Sequence, residues 1–594
     1  MFRPTDRQSS IFASHLHLPD DKRKRLEQSW AHGFRTRVMP HIDEEVFRDA
    51  FDSSNGRPNF SIRVLVGLHL LKDAQDLTDG QALEQFEYNL QWHYALEVTP
   101  DQAHVARRTL LYFRERLMEC DRTQRMFQGI TERLASAEGV RTGQQRVDST
   151  HVLSNIALLT RLGLFCQTVE HLLNTLRNAH PDRLARLDQR FTRRYLDREG
   201  YFSDATKEQA RRRLPEVAID VAELVESFAH DEQVAALDAY AKLRRLFDEQ
   251  IELVQPDDDP EDGGGGGGGG SDQSVGSAER PLRVQLREPK TISGSSLQSP
   301  HDPDASYGHK GKGYLVQLAE TCDSDNPLQL ITAVAVNGAN ESDQGATLPM
   351  VEQLQCSAMG PQVLVADTGY GSGANIVQCA ERGVVLLAPV PDPKAPARLD
   401  PFIVAGEVRT PCANTTATRT AGLPEQDASV EQMRQWMAEE LGGAVDLAAF
   451  AFDKRYSTVL ACPADHEPVR QQLTGQLLTA TFSAAQCSDC PLAVLCPTVV
   501  LVDGDRQLRR SRASIATETR QFEQKTKPFK DSYRIRSGIE ATNSILKRRH
   551  GMRKLRVRGR GRVELAATLK ALSLNGWRVA QHHAGSVGQT QSGT

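Results

Sequence analysis

The sequence has no apolar run long enough to cross a bilayer. No stretch approaches the ~18 uninterrupted apolar residues that a spanning helix needs, so no membrane partner is expected. Met1 to Trp30 is polar and charged and holds no apolar segment of signal-peptide length. Cysteine is sparse, ten residues in 594, and scattered apart from one cluster. That pattern argues against a disulfide framework and for a reducing cytoplasm. An excess of positive charge is also missing: the formal net charge is −5, which, spread evenly, would speak against a nucleic-acid partner. Hydrophobic content of 39% and charged content of 25% are ordinary for a soluble protein, and the length implies several domains with ample cores.

The charge is not spread evenly. From Tyr533 to Arg562 there are eleven Lys/Arg residues, and Glu540 is the one acid. The acidic charge gathers elsewhere, as in the solvated run Asp257, Asp258, Asp259, Glu261 and Asp262. Within the basic tract, Tyr533, Arg536, Glu540 and Lys547 are spaced Tyr-x2-Arg-x3-Glu-x6-Lys. On a continuous α-helix they fall within a wedge about 60° wide. Ile535, Ile539 and Leu546 fall on a separate apolar face, and Gly551 suits a helix stop. Such a stripe also suits a plain surface helix carrying a Glu–Arg pair.

Two upstream aspartates shift the balance. Asp148 stands in Gln-Gln-Arg-Val-Asp-Ser-Thr-His-Val, and Asp367 in Gln-Val-Leu-Val-Ala-Asp-Thr-Gly-Tyr-Gly-Ser-Gly. Each ends a short β-like run. Two strand-end aspartates and a helical glutamate can hold two divalent ions about 3.5–4 Å apart, the arrangement for in-line displacement at phosphorus.

On these residues the chain resembles the DDE transposases of bacterial insertion sequences, whose catalytic core is ribonuclease-H-like, and most of all the branch with the Tyr-Arg-Glu-Lys signature. Asp148, Asp367 and Glu540 match the catalytic triad, and Tyr533, Arg536 and Lys547 the rest of the signature. Phe51 to Leu117 resembles the N-terminal helical domain of these proteins, through Gly56-Arg57-Pro58, Gln91-Trp92 and Phe113-Arg114-Glu115-Arg116-Leu117. The resemblance implies cleavage and strand transfer at insertion-sequence ends, with the triad binding Mg²⁺ or Mn²⁺, double-stranded transposon-end and target DNA as partner, and a homodimer in the DNA complex. It also implies that Tyr533, Arg536 and Lys547 hold the terminal phosphates. A non-catalytic DNA-binding descendant and a nuclease without strand transfer are the alternatives.

The expected fold is α/β, a ribonuclease-H-like mixed sheet with helical and Cys-containing additions. We expect an N-terminal helical, end-binding domain over 1–140, the first core strand within 141–155, and a helical insertion over 156–255. A Gly-rich linker follows over 256–300, around the eight glycines Gly263 to Gly270. The core resumes over 301–395, with strands at Tyr314–Glu320, Leu328–Val336, Val363–Ala366 and Val384–Pro389, and with Ser372 capping a helix Gly373–Glu381. An insertion spans 396–510, the catalytic helix and basic end of the core 511–582, and a flexible tail 583–594.

The insertion contains Cys462, Cys487, Cys490 and Cys496 in the pattern Cys-Pro-x23-Cys-x2-Cys-x5-Cys, suited to one structural Zn²⁺ or else to ordinary buried thiols. His466 is a substitute ligand in that pattern, and Trp436 lies in the same insertion. Lys547 to Arg562 has nine Lys/Arg in sixteen residues. Of these, Arg548, Arg549, Arg553, Lys554, Arg556 and Arg558 are the expected contacts to DNA phosphates.

Overall fold

The fold is organised around the strand that carries Asp148. The computed structural model describes residues 2–5, 13–51, 58–197, 206–254, 283–391, 447–490, 492–493 and 496–586, and three two-residue strands between 403 and 418. Five strands form the central sheet: β1 (Gln144–Val152), β2 (Gly311–Thr321), β3 (Ile331–Gly338), β4 (Val363–Val365) and β5 (Val385–Leu387). Their spatial order is β3-β2-β1-β4-β5, and the short strand Ser306–Gly308 also pairs with β2. β1–β2 and β2–β3 are antiparallel; β1–β4 and β4–β5 are parallel. This is the mixed sheet of a ribonuclease-H-like core. β2 lies between β3 and β1 and is buried from Gly313 to Thr321, so apolar residues recur on both of its faces.

Six helices bear on the site: α1 (Ile62–Ala74), α2 (Arg107–Leu117), α3 (Asp343–Gln355), α4 (Gly373–Glu381), α5 (Gly538–Arg548) and α6 (Arg560–Ser586). Ser372 caps α4 by accepting from the amide of Asn375, with the bounds expected from the sequence.

Alternation along β1 sorts its side chains between two cores. Val147 belongs to the core beneath α3 and α4, with Leu364, Ile376 and Leu386. Val152 belongs to the opposite core, with Leu318, Val334 and the apolar faces of α1, α5 and α6. The N-terminal helices therefore share one core with the C-terminal helix. Asn575 of α6 extends this packing with hydrogen bonds: its side chain accepts from the amide of Ile331 and donates to the same residue's carbonyl. Ile539 and Leu546 of α5 are fully buried, each contributing about 1.5–3 kcal/mol through burial.

Helices Arg161–Ala179, Lys207–Phe228 and Asp238–Gln250 pack around a core of their own. Part of the expected linker differs from expectation. Arg283–Leu286 pairs antiparallel with Ile251–Val254, and Leu297 is fully buried against the helices. Local composition carries little sign of such long-range pairing. The eight glycines, Trp436 and the end of the tail from 587 lie outside the described residues. Within the cysteine-bearing insertion, Arg470–Thr474, Leu477–Phe482, Val499–Val500 and Arg506–Ser511 form an antiparallel sheet. None of the described helices is long and apolar enough to cross a membrane.

Candidate active site

Asp148 sits within β1 and is 8% exposed. Asp367 lies two residues beyond β4, and its Oδ1 accepts from the amide of Gly369 at 2.8 Å. After this Asx-type turn, Gly371 and Gly373 are required because a Cβ would stand 1.9 Å from the carbonyl oxygens of Pro389 and Ala513, so the glycines need no nucleotide loop. Glu540 lies in the first turn of α5, where the helix dipole favours a carboxylate.

The three carboxylates meet on one side chain. Arg536 Nη2 donates to Asp148 Oδ1 at 3.2 Å and to Asp367 Oδ2 at 3.3 Å, while Nη1 donates to Glu540 Oε1 at 2.8 Å. The two aspartate contacts are longer than the roughly 2.7–2.9 Å usual for charge-assisted bonds. The Glu540 contact is shorter, but that side chain is 63% exposed, so water screens the pair. Arg536 thus offsets three negative charges without gripping any of them tightly. Burial raises the carboxyl pKa of Asp148, the Arg536 charge opposes that rise, and Asp367 adds to it.

The expected single stripe is broken, and this corrects the helical reading. Tyr533 ends the helix Lys527–Tyr533, Arg534–Ser537 forms a 3-10 turn, and Gly538 begins α5. The four residues therefore do not lie on one continuous α-helix, although Arg536 and Glu540 still face each other. Arg536 reaches the carboxylates from the turn. Tyr533 stacks on Phe529 with ring centroids 5.7 Å apart; burial raises its phenol pKa, and Arg536 opposes the shift. Burial lowers the ammonium pKa of Lys547, as does Lys310, while Asp148 raises it.

Sequence reasoning missed several groups. Asn543, one turn after Glu540, donates from Nδ2 to Asp148 Oδ2 at 3.0 Å. Its helical spacing from Glu540 was the available signal. On the other face of β1, Ser149 Oγ and Gln317 Nε2 donate to Asp343 at the start of α3, at 3.0 and 2.9 Å. Beneath the 3-10 turn lies Glu320, fully buried, which accepts from Arg146, Arg578 and Thr542. Arg146 Nη1 in turn donates to the carbonyl of Ile535 at 2.8 Å. Strand, turn, α5 and α6 are thereby tied together at the base of the site.

The basic tract divides in two. Arg548, Arg549, Arg553 and Lys554 are exposed and make no side-chain hydrogen bond or ion pair among the described residues. Arg556 instead pairs with Asp76 at 3.0 Å, and Arg558 Nε donates to the carbonyl of Asn155. On α2, Arg114 is held bidentately by Asp79. The helix ends at Arg548, three residues before the expected stop at Gly551, which has φ of +63°.

Among the described residues no group of three or more His, Cys, Asp or Glu side chains is arranged to hold a metal ion as it stands. For the carboxylates the reason is visible, since the Arg536 guanidinium lies among them. Their chemistry nevertheless fits a hard divalent cation, which prefers oxygen ligands, at a place where a cation already sits. Cys462, Cys487, Cys490 and Cys496 line one small cavity together with His466, and the cysteines among the described residues are all free thiols. Burial raises the thiol pKa of Cys462, Cys487 and Cys490.

Two family models match the chain. The transposase DDE domain matches residues 461–580, and the DUF772 transposase domain matches residues 23–116. No curated protein and no solved structure matches it. The two matches, one towards each end of the chain and both to transposase domains, support a DDE-type insertion-sequence transposase.

Proposed function

We propose that the chain is a DNA transposase that cleaves phosphodiesters at insertion-sequence ends and transfers the freed strands into target DNA. The observation that carries this reading is the meeting of Asp148, Asp367 and Glu540, from two strands and a helix, around Arg536. These three residues would hold the divalent ions, Mg²⁺ or Mn²⁺. When bound, the ions activate the attacking water or 3′-hydroxyl and stabilise the leaving oxygen. Asn543 orients Asp148 through its amide. In this reading Arg536, released from the carboxylates, grips a terminal phosphate in fork fashion, and Lys547 and Tyr533 hold its neighbours.

Arg548, Arg549, Arg553 and Lys554 track the DNA backbone in this reading. Arg556 and Arg558 join them by shaping the same segment, through contacts to Asp76 and Asn155. Residues 1–140 bind the transposon end, and two copies of the chain pair the two ends. The reaction belongs in the cytoplasm, where the DNA is. The test uses the full-length chain with duplex DNA from the flanks of its own coding region, in Mg²⁺. Asp148→Asn, Asp367→Asn or Glu540→Gln should each reduce strand cleavage at least about 10³-fold, losing about 4 kcal/mol of transition-state stabilisation. Binding should stay within about threefold, because most affinity comes from phosphate contacts elsewhere. Cleavage by all three variants at the wild-type rate would sink the enzyme reading and favour a DNA-binding protein.

The four thiols support a second assignment, a structural Zn²⁺ that tightens the cysteine cluster of the insertion. Its support is their convergence on one cavity from three separate segments. Protein purified without chelator should contain about one zinc per chain with Zn–S distances of about 2.3 Å. Cys487→Ser with Cys490→Ser should lose it. Zinc-free wild-type protein with the same stability as the double variant would rule the site out.

A further inference from the structure

Asp148 and Asp367 reach the site from different elements, one within β1 and one two residues past β4. Their near oxygens share Arg536 Nη2, at 3.2 and 3.3 Å. A pair of ions held about 3.5–4 Å apart tolerates little change in the separation of such ligands. The loop that carries Asp367 must therefore be held against β1, and the α3 side of the sheet shows how.

Val147, Ser149, Gln317 and Ala319 alternate with Asp148 and Leu318, so they face the core beneath α3 and α4. Ser149 and Gln317 are direct cross-strand partners, and Gln317 is fully buried. Gln317 Nε2 donates to Asp343 Oδ1 at 2.9 Å, and Ser149 Oγ donates to Asp343 Oδ2 at 3.0 Å. Gln317 Oε1 accepts from the phenol of Tyr370, which is fully buried as well.

Tyr370 closes the loop that starts at Asp367. Its amide donates to the Asp367 carbonyl at 3.1 Å, and its own carbonyl accepts from Asn375 Nδ2 of α4 at 2.9 Å. Ser149, Asp343, Gln317 and Tyr370 thus form one run of hydrogen bonds from the residue after Asp148 to the loop that carries Asp367. Packing alone does not call for it, since apolar side chains at 317 and 370 would fill the same space. A buried polar run is fixed in one arrangement, because each bond lost leaves a group unsatisfied. What this arrangement fixes is the span between β1 and the Asp367 loop.

Mg²⁺ demands near-ideal octahedral oxygen geometry, whereas the larger Mn²⁺ accepts displaced ligands more readily. Resting on the two-metal reading above, we propose that Tyr370, Gln317, Asp343 and Ser149 are positioning residues that hold Asp148 and Asp367 at the separation Mg²⁺ requires, so that this run of bonds decides which divalent ion supports cleavage. The four act through the two aspartates and not by ligation.

The test uses the full-length chain and duplex DNA from the flanks of its own coding region. Tyr370→Phe removes the phenol oxygen and keeps the ring in its core. Ser149→Ala removes one hydroxyl at the other end of the run, and carries the same comparison should the first variant not fold. Cleavage in Mg²⁺ should fall about 30-fold in Tyr370→Phe and about tenfold in Ser149→Ala, while cleavage in Mn²⁺ falls by no more than about threefold in either. The double variant should lose little more than Tyr370→Phe alone, since both changes cut the same run of bonds. Without metal or DNA, hydrogen exchange over 366–371 should quicken about tenfold in Tyr370→Phe, with no change over α5. Equal losses in the two metals, no loss in Mg²⁺, or unchanged exchange over 366–371 would each overturn the assignment. Losses that multiply in the double variant would overturn it too. A wild-type chain that cuts in neither metal would defeat the transposase reading itself.

Discussion

Replacing Glu320 by Gln removes one charge from the fully buried centre of the network beneath the site and keeps the side-chain volume. Glu320 Oε2 accepts from Arg146 Nε and Nη2 at 2.9 and 2.6 Å; Oε1 accepts from Arg578 Nη1 at 2.7 Å and Thr542 Oγ1 at 2.6 Å. The side chains of Arg146 and Arg578 are 11% and 20% exposed, so water does little to replace the lost carboxylate. An amide also turns N–H groups towards guanidinium donors. Breaking such a buried pair costs about 3–5 kcal/mol, mostly because charge is left behind without a partner. The loss should concentrate where the network holds the site. Arg146 supports the carbonyl of Ile535, Thr542 is on α5 and Arg578 is on α6. Hydrogen exchange read by peptide should therefore speed up over 534–548 by about 10²-fold, the equivalent of roughly 3 kcal/mol in local opening. Peptides of α3, on the opposite face of the sheet, should change little. Gly538→Ala approaches the same contact from the other side, since a Cβ there would stand 2.0 Å from Arg146 Nη1. Exchange over 534–548 that rises less than about threefold in Glu320→Gln would refute the claim that this network positions Arg536 and α5.

The free and engaged cations should separate in binding experiments. Arg553→Gln with Lys554→Gln should make the salt dependence of DNA affinity shallower by about 2 logarithmic units per decade, at ~0.9 per phosphate, with stability unchanged. Arg556→Gln should lower stability instead, because its bonds to the Asp76 carboxylate and to the carbonyls of Asp76 and Leu77 are lost; an unchanged slope in the double variant would remove Arg553 and Lys554 from the interface. Two buried histidines predict acid sensitivity. Burial, with Lys570 adding to it, brings His550 down to about 4, and His69 lies at about 4 as well. Their folded values lie below the ordinary ~6.5, so the unfolded chain takes up these protons first as the pH falls. Stability should be constant above about pH 6.5 and be lost between about 6.5 and 4, by up to ~3 kcal/mol per histidine at 1.36 kcal/mol per unit. Urea midpoints across that range should show the loss, reduced in His550→Asn; an equal loss in that variant would refute the assignment.

What could be read from the sequence was what local pattern encodes. β1, the β2–β3 hairpin, β4, β5 and the Ser372 cap all follow from short apolar runs and turn or cap residues. The three acids were legible because each sits at a recognisable local feature, a strand or a helix start. The contacts that hold them were not. Glu320 reads as one polar residue in an apolar strand, and its partners Arg146, Thr542 and Arg578 lie 174, 222 and 258 positions away. The sheet of the insertion and the pairing of Ile251–Val254 with Arg283–Leu286 are equally non-local. Arg556 and Arg558 look the same in sequence as Arg553 and Lys554, yet two face protein partners and two face solvent.

The break at Gly538 shows why the spacing of the signature residues carries meaning beyond helical phase. A continuous helix would set Arg536 in the backbone frame of α5, one turn before Glu540. The 3-10 turn instead lets Arg536 reach back from outside α5 to two strands and the helix at once. Three carboxylates brought this close repel one another, and burial of Asp148 adds a desolvation cost. One guanidinium offsets part of that cost, through two long contacts to the aspartates and a water-screened one to Glu540. On the reading proposed above, these carboxylates would accept a divalent ion without a tight ion pair having to break first, since the ion would carry twice the charge of the guanidinium and favour oxygen ligands. On that reading Arg536 would be left beside the carboxylates, free to meet a phosphate. On the same reading the turn would answer two demands on one side chain: holding the acids together as the chain folds, and leaving them when DNA binds.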